Sequence, residues 1–339
     1  MTRIFRTFQK GSYCLLTVIS FSSCASFTSS QLKEINAFGT LTKDFSSSPG
    51  KIFSAINDAY VQQELLLSNT INKPEDHLTS IDEVYNDGQK KSELTKQADA
   101  AMVVLNDYGQ KLAHLAADVH SKELDTASLA LGGDLDKLIV SYNTLVPAHT
   151  VPTGIGALFG QLVSTAGDIY IREKQTEGVK KFVLEGDVLV TNIASALSEN
   201  LDGDGTSHPS LKALIISAKE DLKKNYLRYL KRDKEELKIY PVDQASKEVK
   251  TDMAYNGQLD AWHTGSFDAD NLYLKSLLGF DTAEQLRVQC LAASDKLAKA
   301  HHQLLKDLKE RKKIKDMYAA LQDYAGAVNQ LYATYKKIK

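Results

Sequence analysis

Leu138 to Ile171 constrains this chain most. Its sequence, LIVSYNTLVPAHTVPTGIGALFGQLVSTAGDIYI, carries one formal charge, Asp168, and two prolines, Pro147 and Pro152, near its middle. Each proline disfavours helix at the residue before it. The stretch therefore predicts an apolar helix end, a proline-marked turn and a second apolar helix. Polar, helix-periodic sequence flanks it on both sides. An apolar hairpin in that setting is either the core of a bundle or a surface for a membrane or partner. In the second case Leu158, Phe159, Leu162 and Val163 are the contact residues.

Heptad seams support the bundle. Leu94, Ala98, Ala101, Leu105, Tyr108, Leu112, Leu115 and Val119 advance in steps of four and three, which keeps one stripe facing a neighbour. Val179, Val183, Gly186, Val190, Ile193 and Leu197 repeat the pattern, as do Leu211, Leu214, Ile215, Ala218, Leu222, Tyr226 and Leu230. Arg172 to Gly178 is polar all round, so 150–199 reads as one long helix with a solvated middle or as two helices hinged near Gly178. Asp281-Thr282-Ala283-Glu284 resembles a capping box that starts a final helix. One seam runs there through Leu286, Cys290, Ala293, Leu297, Ala300 and Leu304. A phase slip at Leu308 to Arg311 precedes a second, Ile314 to Ile338. Unbroken, that helix would be on the order of 85 Å long. No alternating strand pattern is found, and there are only six prolines in 339 residues. The fold class expected is all-α: an elongated helical bundle of coiled-coil-like helices, over 51–339, around the hydrophobic hairpin 138–171. Residues 240–280, with Trp262, Gly257 and Gly265, read as an irregular insert.

The N-terminus points to export. Arg3, Arg6 and Lys10 precede the short apolar run Tyr13 to Phe21, then Ser22, Ser23 and Cys24. This is a signal-peptide pattern over residues 1–23. The segment Phe21-Ser22-Ser23-Cys24 resembles the lipobox of bacterial lipoproteins, with Phe21 in place of the usual Leu. That resemblance covers only the first two dozen residues. It implies a lipid on Cys24, an envelope location and a membrane as partner. Ala25 and Ser26 lack the acidic residue that retains some lipoproteins at the inner membrane, which favours the outer one. Residues 24–50, rich in Ser and Thr and ending in Ser46-Ser47-Ser48-Pro49-Gly50, read as a flexible tether. With Cys14 in the signal and Cys24 lipidated, Cys290 is left as one buried, inert thiol. Loss of the three basic residues moves the formal charge from 41 − 43 = −2 to 38 − 43 = −5, which offers no global attraction for nucleic acid.

Catalytic motifs are sparse. There is no HExxH, P-loop, GxSxG or CxxC. Gly154, Gly156 and Gly160 miss the dinucleotide fingerprint by one position and follow a turn, so close helix packing or membrane contact explains them better. Asn200, Asp202, Asp204 and Gly205 match four positions of a calcium loop, but Leu211 stands where its closing Glu belongs. A polar interhelix turn is the preferred reading. His114 and His120 are six residues apart and share no helix face, whereas His301 and His302 must diverge, one of them solvated. Asp260, Trp262, His263 and Asp268 could line a polar pocket, although a tryptophan anchoring the insert is the simpler account. The expectation is thus a non-catalytic, lipid-anchored envelope protein, without cofactor or metal, that has a structural role or binds an envelope protein. The alternative is a membrane-acting protein, since a hydrophobic hairpin held among long helices resembles the architecture of α-helical pore-forming toxins.

Overall fold

In the computed structural model, the described residues are 27–47, 49–68, 71, 73–90, 92–117, 122–164, 172–204, 210–236, 258–310 and 315–336. Among them are ten α-helices and no strand. These are α1 (Ser29–Ser46), α2 (Pro49–Ser68), α3 (Pro74–Lys90), α4 (Ser92–Leu115), α5 (Lys122–Leu145), α6 (Ile155–Ser164), α7 (Arg172–Asp202), α8 (Leu211–Glu236), α9 (Gln258–Glu310) and α10 (Lys315–Lys336). The all-α helical bundle expected from the periodicity is what forms.

α9 is the spine. Its 53 residues span about 80 Å, and it borders α1, α2, α7, α8 and α10. Three contacts fix α7 antiparallel to it: Asp187 with His301, Ala194 with Ser294, and Leu201 with Arg287. α8 pairs with the other half, Lys219 meeting Asp281 and Tyr226 meeting Asp270. α10 folds back along the C-terminal half, with Lys296 opposite Asp323 at 3.7 Å. Every seam residue from Leu286 to Leu304 is buried, as are Ala98 to Leu115 at the same spacing on α4. An apolar stripe of that length forms a stable helix only because other helices cover it.

Four sequence expectations change. First, most of 24–50 is not a tether, because α1 is a packed helix. Thr28 caps it in a reciprocal box with Gln31, and Leu32, Ile35, Phe38, Thr42 and Phe45 are buried at helical spacing. α1 runs antiparallel to α4 and touches it closely at Gly39 and Gly109, where a side chain on either would strike backbone of the other. Second, Asp281 does not start a helix. α9 passes straight through it, and the would-be capping groups pair elsewhere, Asp281 with Lys219 and Glu284 with Arg287. Third, 258–280 is helical and not irregular, while 240–257 lies outside the described residues. Fourth, the final stretch is not one unbroken helix: α10 folds back along α9, with Lys296 opposite Asp323, and carries the described residues of the second seam.

Candidate functional site

Two polar constructions inside the bundle gather the chain's chemistry. The first joins three helices far apart in sequence. Tyr108 of α4 lies 2.7 Å from His301 Nε2 of α9, and His301 Nδ1 lies 3.0 Å from Asp187 Oδ1 of α7. The ionised carboxylate can only accept, so Nδ1 carries the proton, and the lone pair on Nε2 then accepts from the Tyr108 hydroxyl. Burial holds His301 below its usual pKa, opposed by the hydrogen bond to Asp187. That same bond, chiefly, holds Asp187 below the usual carboxylate range. Burial drives the Tyr108 phenol well above its ordinary value. At neutral pH the relay therefore carries one negative charge, on the partly exposed Asp187.

Aromatic packing seals it. Phe38 of α1 meets the His301 ring edge-on at 5.5 Å, and Phe182 stacks on Tyr108 at 5.1 Å. Gly186 makes the room: a Cβ there would lie 2.3 Å from the Tyr108 oxygen. The order carboxylate, imidazole, hydroxyl resembles an acid–base triad, yet Tyr108 and His301 are both 0% exposed. The buried hydroxyl and imidazole make the relay a joint between α4, α7 and α9, with Phe38 of α1 packed against it.

The second construction holds the hairpin. Asp136 of α5 accepts from the backbone N–H groups of Gly154, Gly156 and Ala157, which closes the start of α6 with a full negative charge. Gly154, at φ +97°, supplies the turn into it. Asn143 binds Val151 twice, donating to its carbonyl and accepting from its N–H, and Asn192 donates to the Thr150 carbonyl. His149 meets Glu199 at 2.6 Å. Lys111, 1% exposed, pairs with Asp107 and sits 5.5 Å from the centre of the Phe159 ring. Burial lowers the Lys111 pKa and raises that of Asp107.

The sequence-derived contact residues lie within this assembly. Leu158, Phe159 and Val163 are buried, and Leu162 packs on the core beside Gly178. Phe159 faces His114 and Phe182, each at 6.0 Å. These residues therefore form no exposed apolar patch. Cys24, Asp168 and His120 lie outside the described residues.

The remaining candidates scatter. Cys290 is fully buried and its thiol is pushed up to about 12 by burial, as an inert core thiol should be. His301 is buried and His302 is exposed, in keeping with their divergence. Asn200 and Asp202 are still helical, and Asp202 is engaged by Lys212 at 2.9 Å and by the buried Arg287 at 3.2 Å. That pairing, with hydrogen bonding from Lys212 its main cause, holds the Asp202 carboxyl below its usual range. Asp260, Trp262 and His263 fall on the helical backbone of α9 and Asp268 is exposed, so they do not lie in an irregular loop. Among the described residues no group of three or more His, Cys, Asp or Glu could hold a metal ion.

The relay was invisible in the sequence. Its partners are 193 and 114 residues apart and follow no spacing rule. The only hint was a tyrosine, Tyr108, on an apolar seam.

The architecture thus defines a class, an all-α bundle around one long helix with a sealed polar joint. Beyond that class the chain matches no protein-family model, no curated protein and no solved structure.

Proposed function

We propose that this is a lipid-anchored protein of a bacterial envelope, the outer membrane before the inner, with a structural or protein-interaction role and no catalysis. The observation carrying this reading is the pattern ending in Phe21-Ser22-Ser23-Cys24, followed after two residues by a body whose first described residue is already packed. Phe27 is 4% exposed and its N–H donates to Thr176 Oγ1 at 2.7 Å. A signal cut at Cys24 leaves every described residue in place. The sealed relay and the stapled hairpin suit a rigid scaffold, since both spend their polar groups on internal bonds.

The membrane-acting alternative has less support. Among the described residues no helix is long and apolar enough to cross a membrane. Release of the hairpin would also uncover Lys111 and break the Asp136 cap.

The test is expression of the full chain in a bacterial host, beside Cys24→Ser, with detergent partitioning and the mass of the N-terminal peptide. The expected result is a detergent-phase protein beginning at a Cys24 that bears acyl chains, and loss of both properties in the variant. An aqueous-phase protein with an unmodified N-terminus would refute the reading.

A further inference from the structure

We propose that the outer face of α9, from Leu274 to Ala292, pairs with the same face of a second copy of this chain, the two helices running antiparallel about a twofold axis. The inference is independent of the lipid-anchor reading.

α9 carries two stripes. The inner one, Leu286 to Leu304, is buried in the bundle. The outer one comprises Leu274, Leu278, Asp281, Gln285, Val288 and Ala292, in steps of four, three, four, three and four. All six are exposed, Leu274 by 53%, Leu278 by 65% and Val288 by 46%. Steps of four and three hold a stripe toward one neighbouring helix. Apolar residues fill four of the six positions, where a solvated face would be polar. Ile216 of α8 is exposed as well, one turn before the Lys219 that reaches Asp281.

The spacing of the outer stripe reads the same in both directions, so an antiparallel copy meets it layer by layer. Leu278 falls opposite Val288 of the second copy, Leu274 opposite Ala292 and Asp281 opposite Gln285. The polar layers lie at the centre, with apolar layers on either side. A glutamine amide both donates and accepts, so Gln285 can donate to Asp281 and accept from the Lys219 ammonium that neutralises it. Next outward, Asn271 falls opposite Asp295, an amide donor against a carboxylate. Other registers lose this match. A parallel pairing sets Asp281 against its own copy, a repulsive contact. A slip of one heptad sets Asp281 against Leu278 or Ala292, burying a charge against an apolar side chain.

The paired stretch is about 27 Å long. Isolated helices of that length are marginal, yet this one is already held by α2 at Gly279, by α8 at Asp281 and by α7 at Arg287. Pairing therefore carries no cost of helix formation, and a preorganised face binds more tightly than a disordered one.

The experiment uses the full chain, expressed in a bacterial host and extracted in mild detergent. Sedimentation over a wide concentration range should show a monomer–dimer equilibrium. Leu278→Glu/Val288→Glu sets like charges opposite one another and should weaken dimerisation by at least about tenfold. Leu184→Glu/Val188→Glu, the same change on exposed apolar residues of α7, should leave it within about twofold. The register is read with Leu278→Cys and Val288→Cys, singly and together. Mild oxidation should cross-link the double variant into a dimer. Each single variant should stay at the parent's level, because position 278 lies about 15 Å along the seam from its own copy, beyond disulfide reach. A monomer at every concentration overturns the proposal, whatever else then covers the stripe. So does a dimer that survives the glutamate pair, a double cysteine variant that fails to cross-link, or a single one that does. Circular dichroism on each variant keeps misfolding from imitating dissociation, and the cysteine pair reads the register without any change of charge.

Discussion

Gly39→Ala is the sharpest test of whether the N-terminal segment belongs to the body. A Cβ at Gly39 would lie 2.5 Å from the Gly109 carbonyl oxygen and 2.7 Å from the Ala113 nitrogen, where ordinary contact begins at 3.4 Å. Both obstacles are backbone of α4, so no side-chain rotation relieves them and α1 must retreat by about 0.9 Å. Leu32, Ile35, Phe38 and Phe45 would retreat with it, all of them buried on that face. Overpacking of this kind costs up to about 3 kcal/mol. Replacing a mid-helix glycine by alanine returns about 1 kcal/mol. The net expectation is destabilisation of about 2 kcal/mol. Gly326→Ala is the internal control: it is exposed in α10 with nothing within 4 Å of the added carbon, so it should stabilise by about 0.5–1 kcal/mol. Urea unfolding of parent and both variants gives the two signs directly. A Gly39→Ala protein as stable as the parent, or more so, would show that α1 is a loose tether after all.

Three further outcomes follow from the same contacts. His301 is neutral in the folded state with its pKa held below the unfolded value near 6.5, so its contribution is complete above that value and declines as pH falls through it; the urea midpoint should drop between pH 7.5 and 5.5, and His301→Gln should flatten that slope, whereas an unchanged slope would refute the assignment. Asp136→Ala removes the acceptor for three N–H groups at the start of α6 and should cost about 1–2 kcal/mol, seen as faster hydrogen exchange over 155–164, with Asp136→Asn intermediate. Cys290, fully buried with its thiol raised to about 12, should react with thiol reagents in urea and resist them in native buffer at pH 8; rapid native labelling would contradict its burial.

How much of this was legible depends on what kind of signal each feature leaves. The α4, α7 and α9 seams leave a strong one, since apolar residues at steps of three and four must share a face, and those with described side chains are buried. α1 leaves a weak one. Leu32, Ile35, Phe38, Thr42 and Phe45 do fall at helical spacing, and Thr28 with Gln31 does form a box, but glycine, serine and threonine between them dilute the stripe into something that reads as a tether. Asp281 and Glu284 show the opposite failure, a local capping signal overridden by tertiary partners. Gly279 just before them is a crossing point, its Cα face 2.7 Å from the Ala59 methyl by an added Cβ, and not a helix stop. The hairpin's apolar character was plain, whereas its orientation depended on Asp136, Asn143 and Asn192, polar residues whose partners no spacing rule indicates. The relay is the limiting case, assembled wholly by long-range packing.

The placement of α1 has a consequence for the order in which the body can be completed. Its partners come from distant parts of the chain: Ala113 for Asn36, Thr176 for Phe27, and Tyr324 and Tyr332 for Leu41 and Asp44. A polypeptide that emerges N-terminus first therefore carries its opening helix with one flank bare until the closing helix arrives. Contacts so remote are slow to form, because loop closure precedes any gain from packing. During vectorial emergence the chain cannot lock early into its final topology, and α10 supplies the last piece of the cover over α1.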